Sequence, residues 1–252
     1  MVGGLAFIYV PLVVVVINSF NASSTLQWPP KSLTTQWWIK MFSNEGVRAA
    51  VGTSVAVAVV ATSLALVLGS LAAAAITRYD FFGRNSVSLL FVLPIALPGI
   101  VTGIALNNVF TSWFGGLTFF TIVLGHATFC IVVVFNNVAA RYRRLGRSLT
   151  EASLDLGASR WGTFRDVTFP LIRSSLVAGA LLAFGLSFDE IIVTTFTAGP
   201  GQTTLPIWIY QNLFRPNQAP IVNAVAAALI AVSIVPIYLA QRLSQVHTGI
   251  SD

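Results

Sequence analysis

Two adjacent carboxylates, Asp189 and Glu190, interrupt an otherwise apolar stretch running from about Ser174 to Phe196. Ionisable groups at membrane depth are costly and mark substrate or ion paths. Counting roughly 15 residues at about 1.5 Å each from the start of that stretch places the pair about 22 Å along it, in its far half. On a helix, neighbouring side chains point about 100° apart, so at most one of the two faces lipid and at least one faces an interior path. Such a path would attract a cationic solute such as a polyamine and repel a sulfate-like anion. The structural alternative is that the acids reach the interface or pair with Arg215.

Other polar groups inside apolar stretches are Asn107, Asn108, His126, Asn136 and Asn137, for which interhelical hydrogen bonding is the simplest role. Asn107 and Asn108 are also candidates to line the path. The chain has two histidines, His126 and His247, and a single cysteine, Cys130. That is too few for a metal site or a histidine–acid catalytic constellation, and a lone cysteine excludes a disulfide framework. No stretch reads G-x-x-x-x-G-K-[ST]; Gly199-Pro200-Gly201 marks a turn and lacks the lysine of a phosphate loop. No catalytic residue, metal or bound cofactor is expected.

The elements that position these groups follow from composition. Of 252 residues, 56% are hydrophobic and 9% charged, and mean hydropathy is +0.82. A soluble domain carries about 25% charged residues, so the medium around most of this chain is a bilayer rather than water. The net charge of +6 does not point to nucleic acid, because the basic residues sit between apolar runs without a patch of stacking aromatics.

Six apolar runs qualify as spans: about 3–20, 49–76, 87–110, 117–140, 174–196 and 219–243. Their Val, Ala and Leu content without period-2 alternation predicts helices rather than barrel strands. The first run lacks a basic leading region and a small-residue cleavage site, so it is expected to remain as a helix. Pro94 and Pro98, with Gly99 and Gly103, are expected to loosen the third span and let backbone line a cavity.

With six spans, one side carries Arg78, Arg84, Arg141, Arg143, Arg144, Arg147, Arg160, Arg165, Arg173 and Arg242. The other carries Lys31, Lys40, Arg48 and Arg215. This asymmetry places both termini and the long fourth-to-fifth loop in the cytoplasm. On the opposite side, Trp28, Trp37 and Trp38 suit a segment along the outer interface or a docking surface for an external protein.

The long loop, RYRRLGRSLTEASLDLGASRWGTFRDVTFPLIRSS from Arg141 to Ser175, has seven arginines and three acids, Glu151, Asp155 and Asp166. Ser148 and Glu151 have capping-box spacing, and Gly157 suits the left-handed end of a short helix. Ser159 can cap a second short helix, which Pro170 is expected to end or redirect. Trp161 and Phe164, three apart, give that helix an apolar face. Such a module suits either a groove on a cytoplasmic partner or the surface of the anionic leaflet.

This segment resembles the loop of permease subunits in binding-protein-dependent ABC importers, whose pattern is EAA, three residues, Gly, nine residues, I-x-L-P. Here Glu151-Ala152-Ser153 is followed by Leu154, Asp155 and Leu156, then Gly157; nine residues later comes Val167-Thr168-Phe169-Pro170. Ser153, Val167 and Phe169 depart conservatively, and every spacing is kept. The stretches YVPLVVVVINSFNAS, RYDFFGR, HATFC and FDEIIVTTFTAGPGQTTLPIWIY look like the polyamine-type subgroup. Iron, sulfate, thiamine and phosphonate-type permeases share much of this pattern.

The resemblance implies an all-α integral membrane protein of six transmembrane helices, the type I ABC importer permease fold, as a single domain over 1–252. It also implies a coupling helix between spans four and five, with Glu151, Ala152, Ser153, Leu154, Gly157, Ala158, Trp161, Phe164 and Pro170 meeting an ATPase. The implied partners are two copies of that ATPase, a second permease half and an extracytoplasmic binding protein in a bacterial inner membrane, with ATP and magnesium on the ATPase. A self-sufficient secondary transporter would instead show internal repeats, and no convincing repeat is present.

Overall fold

The structure, a computed structural model, describes residues 2–25, 27–146, 148–215 and 218–245. Arg147 and His247 lie outside the described residues. The first helices are α1 (Val2–Asn18), α2 (Gln36–Ser43), α3 (Glu45–Arg78), α4 (Arg84–Ala96), α5 (Gly99–Phe114) and α6 (Phe119–Leu145). Then follow α7 (Ser148–Asp155), α8 (Arg160–Thr163), α9 (Phe169–Phe188), α10 (Ile192–Thr197), α11 (Leu205–Leu213) and α12 (Ala219–Gln245). A π-helical turn, Phe164–Thr168, joins α8 to α9. Among the described residues the sole extended pairing is an isolated bridge between Asn21 and Leu33. The helical class expected from composition is thus observed.

Among the described residues three helical runs have the length and apolarity to cross a bilayer: Glu45–Arg78, Phe119–Leu145 and Arg160–Phe188. The 34 residues of α3 extend well beyond a hydrocarbon core about 30 Å thick. Large apolar side chains face outward along these helices and along α1, with Phe7 82% exposed and Leu71 64%. Water would penalise such a surface; acyl chains do not. Gly3–Asn18 and Ala219–Val235 are shorter apolar helices.

Two expected spans are not continuous. The run 87–110 breaks between α4 and α5: Leu97 is extended (φ −81°, ψ 142°), as is Pro98 (φ −56°, ψ 131°). Pro98 cannot donate a backbone hydrogen bond and disfavours helical geometry at the residue before it. Pro94 lies within α4 and does not break it. The run 174–196 stops at Phe188 and resumes at Ile192, so Asp189 and Glu190 sit in the break and not on one helix face. The expectation that they diverge by a helical step is therefore corrected.

The chain divides into two compact units. One comprises Met1–Ala56 and Pro200–Val235. Within it, Trp37 is buried and its Nε1 donates to the Asn21 carbonyl at 2.8 Å. Lys40 Nζ lies 4.6 Å from the Trp37 ring centre. Trp37 thus anchors its own loop instead of lying free at an interface, whereas Trp28 is exposed. Ser54 Oγ accepts from the Leu205 amide at 2.8 Å, which ties the start of α11 to α3.

The other unit comprises Val57–Gly199 and Pro236–Asp252. Its core runs along α6, where Phe135, Val134, Val138 and Ala139 are buried against Ala65, Ala73, Ile172 and Ala183. Small residues let helix backbones approach closely where lipid supplies no hydrophobic drive between helices. The α5–α10 pair shows this most sharply. Gly99 and Gly103, four apart on α5, lie under Ile192 and Phe196, four apart on α10. A Cβ at Gly103 would stand 2.5 Å from Cδ2 of Phe196.

Candidate functional site

The Arg141–Ser175 loop folds as two short helices. α7 includes Ser148, so this residue lies inside the helix instead of capping it, and Glu151 occupies the first turn, where an acid is favoured. At the other end Gly157 has φ +85°. The Ala158 amide donates to the Ser153 carbonyl at 3.1 Å and the Gly157 amide to the Leu154 carbonyl at 2.9 Å. Those two bonds form a Schellman closure, which requires the left-handed residue that glycine supplies. Ser159 Oγ then accepts from the Gly162 amide at 3.0 Å, capping α8 as its sequence position predicts.

The expected helix end at Pro170 is not observed. From Arg160 to Phe188 the backbone is one helical run. The Phe169 amide bonds back five residues to the Phe164 carbonyl. This wider π turn absorbs the donor that Pro170 lacks, so the proline occupies the first turn of α9. Continuous helical backbone therefore joins α8 to α9.

No residue of α7 is buried. Glu151, Ala152, Leu154, Ala158 and Pro170 are exposed, Ser153 is half-buried, Leu156 is 89% exposed and Trp161 70%. Trp161 stacks on Phe164 with centroids 5.5 Å apart. Ser153 Oγ and Thr163 Oγ1, 3.0 Å apart, join α7 to α8. Sequence reasoning missed Arg78: its Nη1 donates to the Gly146 carbonyl at 2.9 Å and its guanidinium lies 5.0 Å from the Tyr142 ring centre, tying α3 to the loop entrance. A contact between residues 68 apart leaves no local signal.

The second constellation surrounds the α9–α10 break. Asp189 is exposed and Glu190 half-buried. Glu190 Oε1 accepts from the Val193 amide at 2.9 Å, a favourable place for an acid at the start of α10. Asp189 closes the C-terminus of α9, where the helix dipole disfavours negative charge. A residue that breaks a local rule without compensation marks a candidate functional position.

Glu190 also lines a cavity of ≈ 200 Å³ with Thr102, Thr128 and Gly99. The Thr102 hydroxyl is buried there and has no hydrogen-bond partner among the described residues. Asn107 Nδ2 donates to the Phe196 carbonyl at 2.6 Å, so it holds α10 against α5, while Asn108 is exposed.

His126 spans the same break from α6. Its Nδ1 lies 2.8 Å from Ser187 Oγ, and its Nε2 lies 2.8 Å from Thr194 Oγ1. Thr194 Oγ1 donates to the Glu190 carbonyl at 2.9 Å, which leaves it to accept from Nε2–H. The ring bridges the two halves of the span. His126→Phe leaves the buried Ser187 hydroxyl unpaired, which costs about 1–3 kcal/mol. Thermal unfolding in nanodiscs is expected to show that loss, with partial recovery in His126→Gln, whose amide both donates and accepts. Equal stability of all three proteins would refute the bridging role.

Comparisons with known proteins agree with these features. The family described as "Binding-protein-dependent transport system inner membrane component" matches residues 65–246. The putrescine transport system permease protein PotI of Escherichia coli (strain K12) is 35% identical over 241 residues, covering 92% of this chain and 85% of PotI. The spermidine/putrescine transport system permease protein PotC of the same organism is 32% identical over 244 residues, covering 96% of this chain and 91% of PotC. A chain of a bacterial alginate ABC transporter, solved with an alginate pentasaccharide-bound periplasmic protein, superposes with TM-score 0.71 at 15% identity, covering 100% of this chain and 93% of that one. That likeness shows the fold. The protein is a multi-pass membrane permease and not an enzyme. It belongs to the family of binding-protein-dependent transport system inner membrane components.

Proposed function

We propose that this chain is one half of the translocation path of a bacterial ATP-driven importer for a polyamine or a similar small cationic solute. The observation that carries the coupling part is the loop itself. Exposed Leu156 stands in the turn after α7, and exposed Trp161 stands on α8, whose run continues through the π turn into α9. α9 ends at Phe188, next to Asp189 and Glu190 in the break. In this reading Glu151, Ala152, Ser153, Leu154, Gly157, Ala158, Trp161, Phe164 and Pro170 form the docking element for a cytoplasmic ATPase. ATPase closure then moves α9 and changes the break where the acids sit.

The substrate part rests on the PotI and PotC relatives and on two carboxylates at a helix break, one of which, Glu190, lines a cavity. Discontinuous helices of this kind supply solute sites near the middle of the membrane in many transporters. Asp189 and Glu190 attract the solute's ammonium groups, Asn108 lines the approach, and Asn107 fixes the wall. Six crossings with both termini in the cytoplasm, a second permease half and an extracytoplasmic binding protein complete the assembly. ATP and magnesium belong to the ATPase.

The native chain has one cysteine, Cys130, and it is buried. Leu156→Cys therefore introduces a single accessible thiol. It is expected to resist a membrane-impermeant thiol reagent in intact cells, to react in inverted vesicles, and to cross-link to the ATPase of the assembly. Labelling in intact cells would reverse the orientation. Failure to cross-link, with normal transport, would remove the docking role.

A further inference from the structure

Two arginines near the end of α6 hold no acid, which is notable in a chain with 9% charged residues. Arg141 and Arg144 are three apart and share a helix face. Among the described residues neither pairs with a carboxylate; the two ion pairs present are Arg84–Asp80 and Arg165–Asp166. Arg141 is half-buried and its Nε donates to the Leu171 carbonyl at 2.9 Å, which fixes the guanidinium between α6 and α9.

Beside it lies an open cavity of ≈ 340 Å³ between the two helices. Its polar lining is Arg141, Arg144, Asn136, Asn137, Ser174 and Ser175. Ala140 and Ala178 complete the lining, and their small side chains leave the space. Asn137 spends one amide N–H on the Val133 carbonyl at 2.9 Å, leaving its oxygen and second N–H. The lining therefore offers two guanidiniums, two hydroxyls and two amides, with no carboxylate.

A cation would meet net positive charge there, so the cavity is unsuited to the solute proposed above. A group with several acceptor oxygens and negative charge would meet donors on both sides, and guanidinium matches phosphate with two parallel bonds. The cavity also lies at the last turns of α6, where Arg143 and Arg144 bring the helix out of hydrocarbon. Phosphates lie at this depth, and basic pockets between spans take anionic headgroups.

We propose that the α6–α9 cavity binds a phosphate-type oxyanion, presented by an anionic phospholipid or by free phosphate. Occupancy would link α6 to the helix that continues into the Arg141–Ser175 loop. The inference goes beyond the transport reading and does not depend on the solute assignment.

The test uses the full chain and two variants, Arg144→Gln and Arg143→Gln. Arg144 is exposed and makes no described hydrogen bond, so its replacement leaves the fold intact; Arg143 neighbours it but does not line the cavity. Native mass spectrometry counts phosphatidylglycerol retained from mixed nanodiscs. Thermal unfolding in phosphatidylcholine nanodiscs, with inorganic phosphate against chloride at equal ionic strength, reads free phosphate.

Arg144→Gln is expected to weaken retention or phosphate stabilisation by about fivefold, and Arg143→Gln to leave it near the wild-type level. An effect on phosphatidylglycerol alone identifies the lipid as the source; an effect of phosphate in the zwitterionic disc identifies the free ion. Equal losses in both variants would mean diffuse surface charge and overturn the site. So would no difference between Arg144→Gln and wild type. Asn136→Leu, which changes the lining without removing charge, gives an independent second variant. Solute uptake measured on the same proteins separates a failure here from a failure of the importer reading.

Discussion

Gly157→Pro is expected to abolish transport while the chain still inserts in the membrane. Gly157 has φ +85°, and proline is locked near −65°, so the α7 end must unwind. The Schellman bonds from Ala158 to Ser153 and from Gly157 to Leu154 are lost with it. Among the described residues nothing lies within 4 Å of a Cβ placed at this glycine. Steric crowding is therefore absent, and the conformational cost alone sets the ranking of variants.

Left-handed geometry costs an ordinary L-residue about 1–2 kcal/mol, less for asparagine and more for a β-branched side chain. Uptake is expected to fall in the order Gly, Asn, Ala, Val, Pro, with valine at least about tenfold below wild type. Vesicle uptake and co-purification of the ATPase are the measurements. Wild-type uptake by the proline variant would show that the ordered end of α7 has no part in coupling. If asparagine were as harmful as proline, the position would instead be crowded by a partner.

Removing charge from the α9–α10 break is expected to have the next largest effect. Asp189→Asn with Glu190→Gln keeps both side-chain shapes. Glutamine retains an Oε1 that accepts from the Val193 amide, a bond now 2.9 Å long, so the start of α10 stays formed. What disappears is negative charge beside the cavity that Glu190 lines. Charge complementarity at a partly desolvated site contributes about 1–3 kcal/mol or more, so spermidine and putrescine uptake should fall at least about tenfold.

Glu190→Ala removes the capping bond as well and is expected to lose thermal stability, which the isosteric pair does not. Uptake unchanged in the isosteric double variant would exclude a cation path at these acids. Reduced stability in that same variant would mean that the acids are structural.

Much of this was legible along the chain, because the signals are local. Charge scarcity and long apolar runs announce a bilayer, since no folding arrangement can hide so much apolar surface from water. Gly157 at a helix end and Ser159 at a helix start act within a few residues of themselves. Composition could not show that Pro170 is carried inside a helix, because the outcome depends on whether the preceding turn widens to a π form. Nor could it show which proline breaks the third span; Pro94 and Pro98 differ in surroundings, not in chemistry.

The acids show where reading by sequence stops. Hydropathy found the stretch and marked the cost of charges within it. A helical projection then misassigned their directions, since the helix ends at Phe188. What ends it is tertiary: His126 from α6 bonds to Ser187 before the break and Thr194 after it, while Gly99 and Gly103 admit Ile192 and Phe196 on the far side. By itself the sequence determined that the chain crosses the membrane in helices and carries a polar helical loop, because those outcomes depend on solvent and on neighbours a few positions away. Only tertiary packing decided where two spans break and which polar groups gather there, because those outcomes depend on atoms that meet across 50 to 90 positions, such as His126 with Ser187, 61 apart, and Asn107 with Phe196, 89 apart.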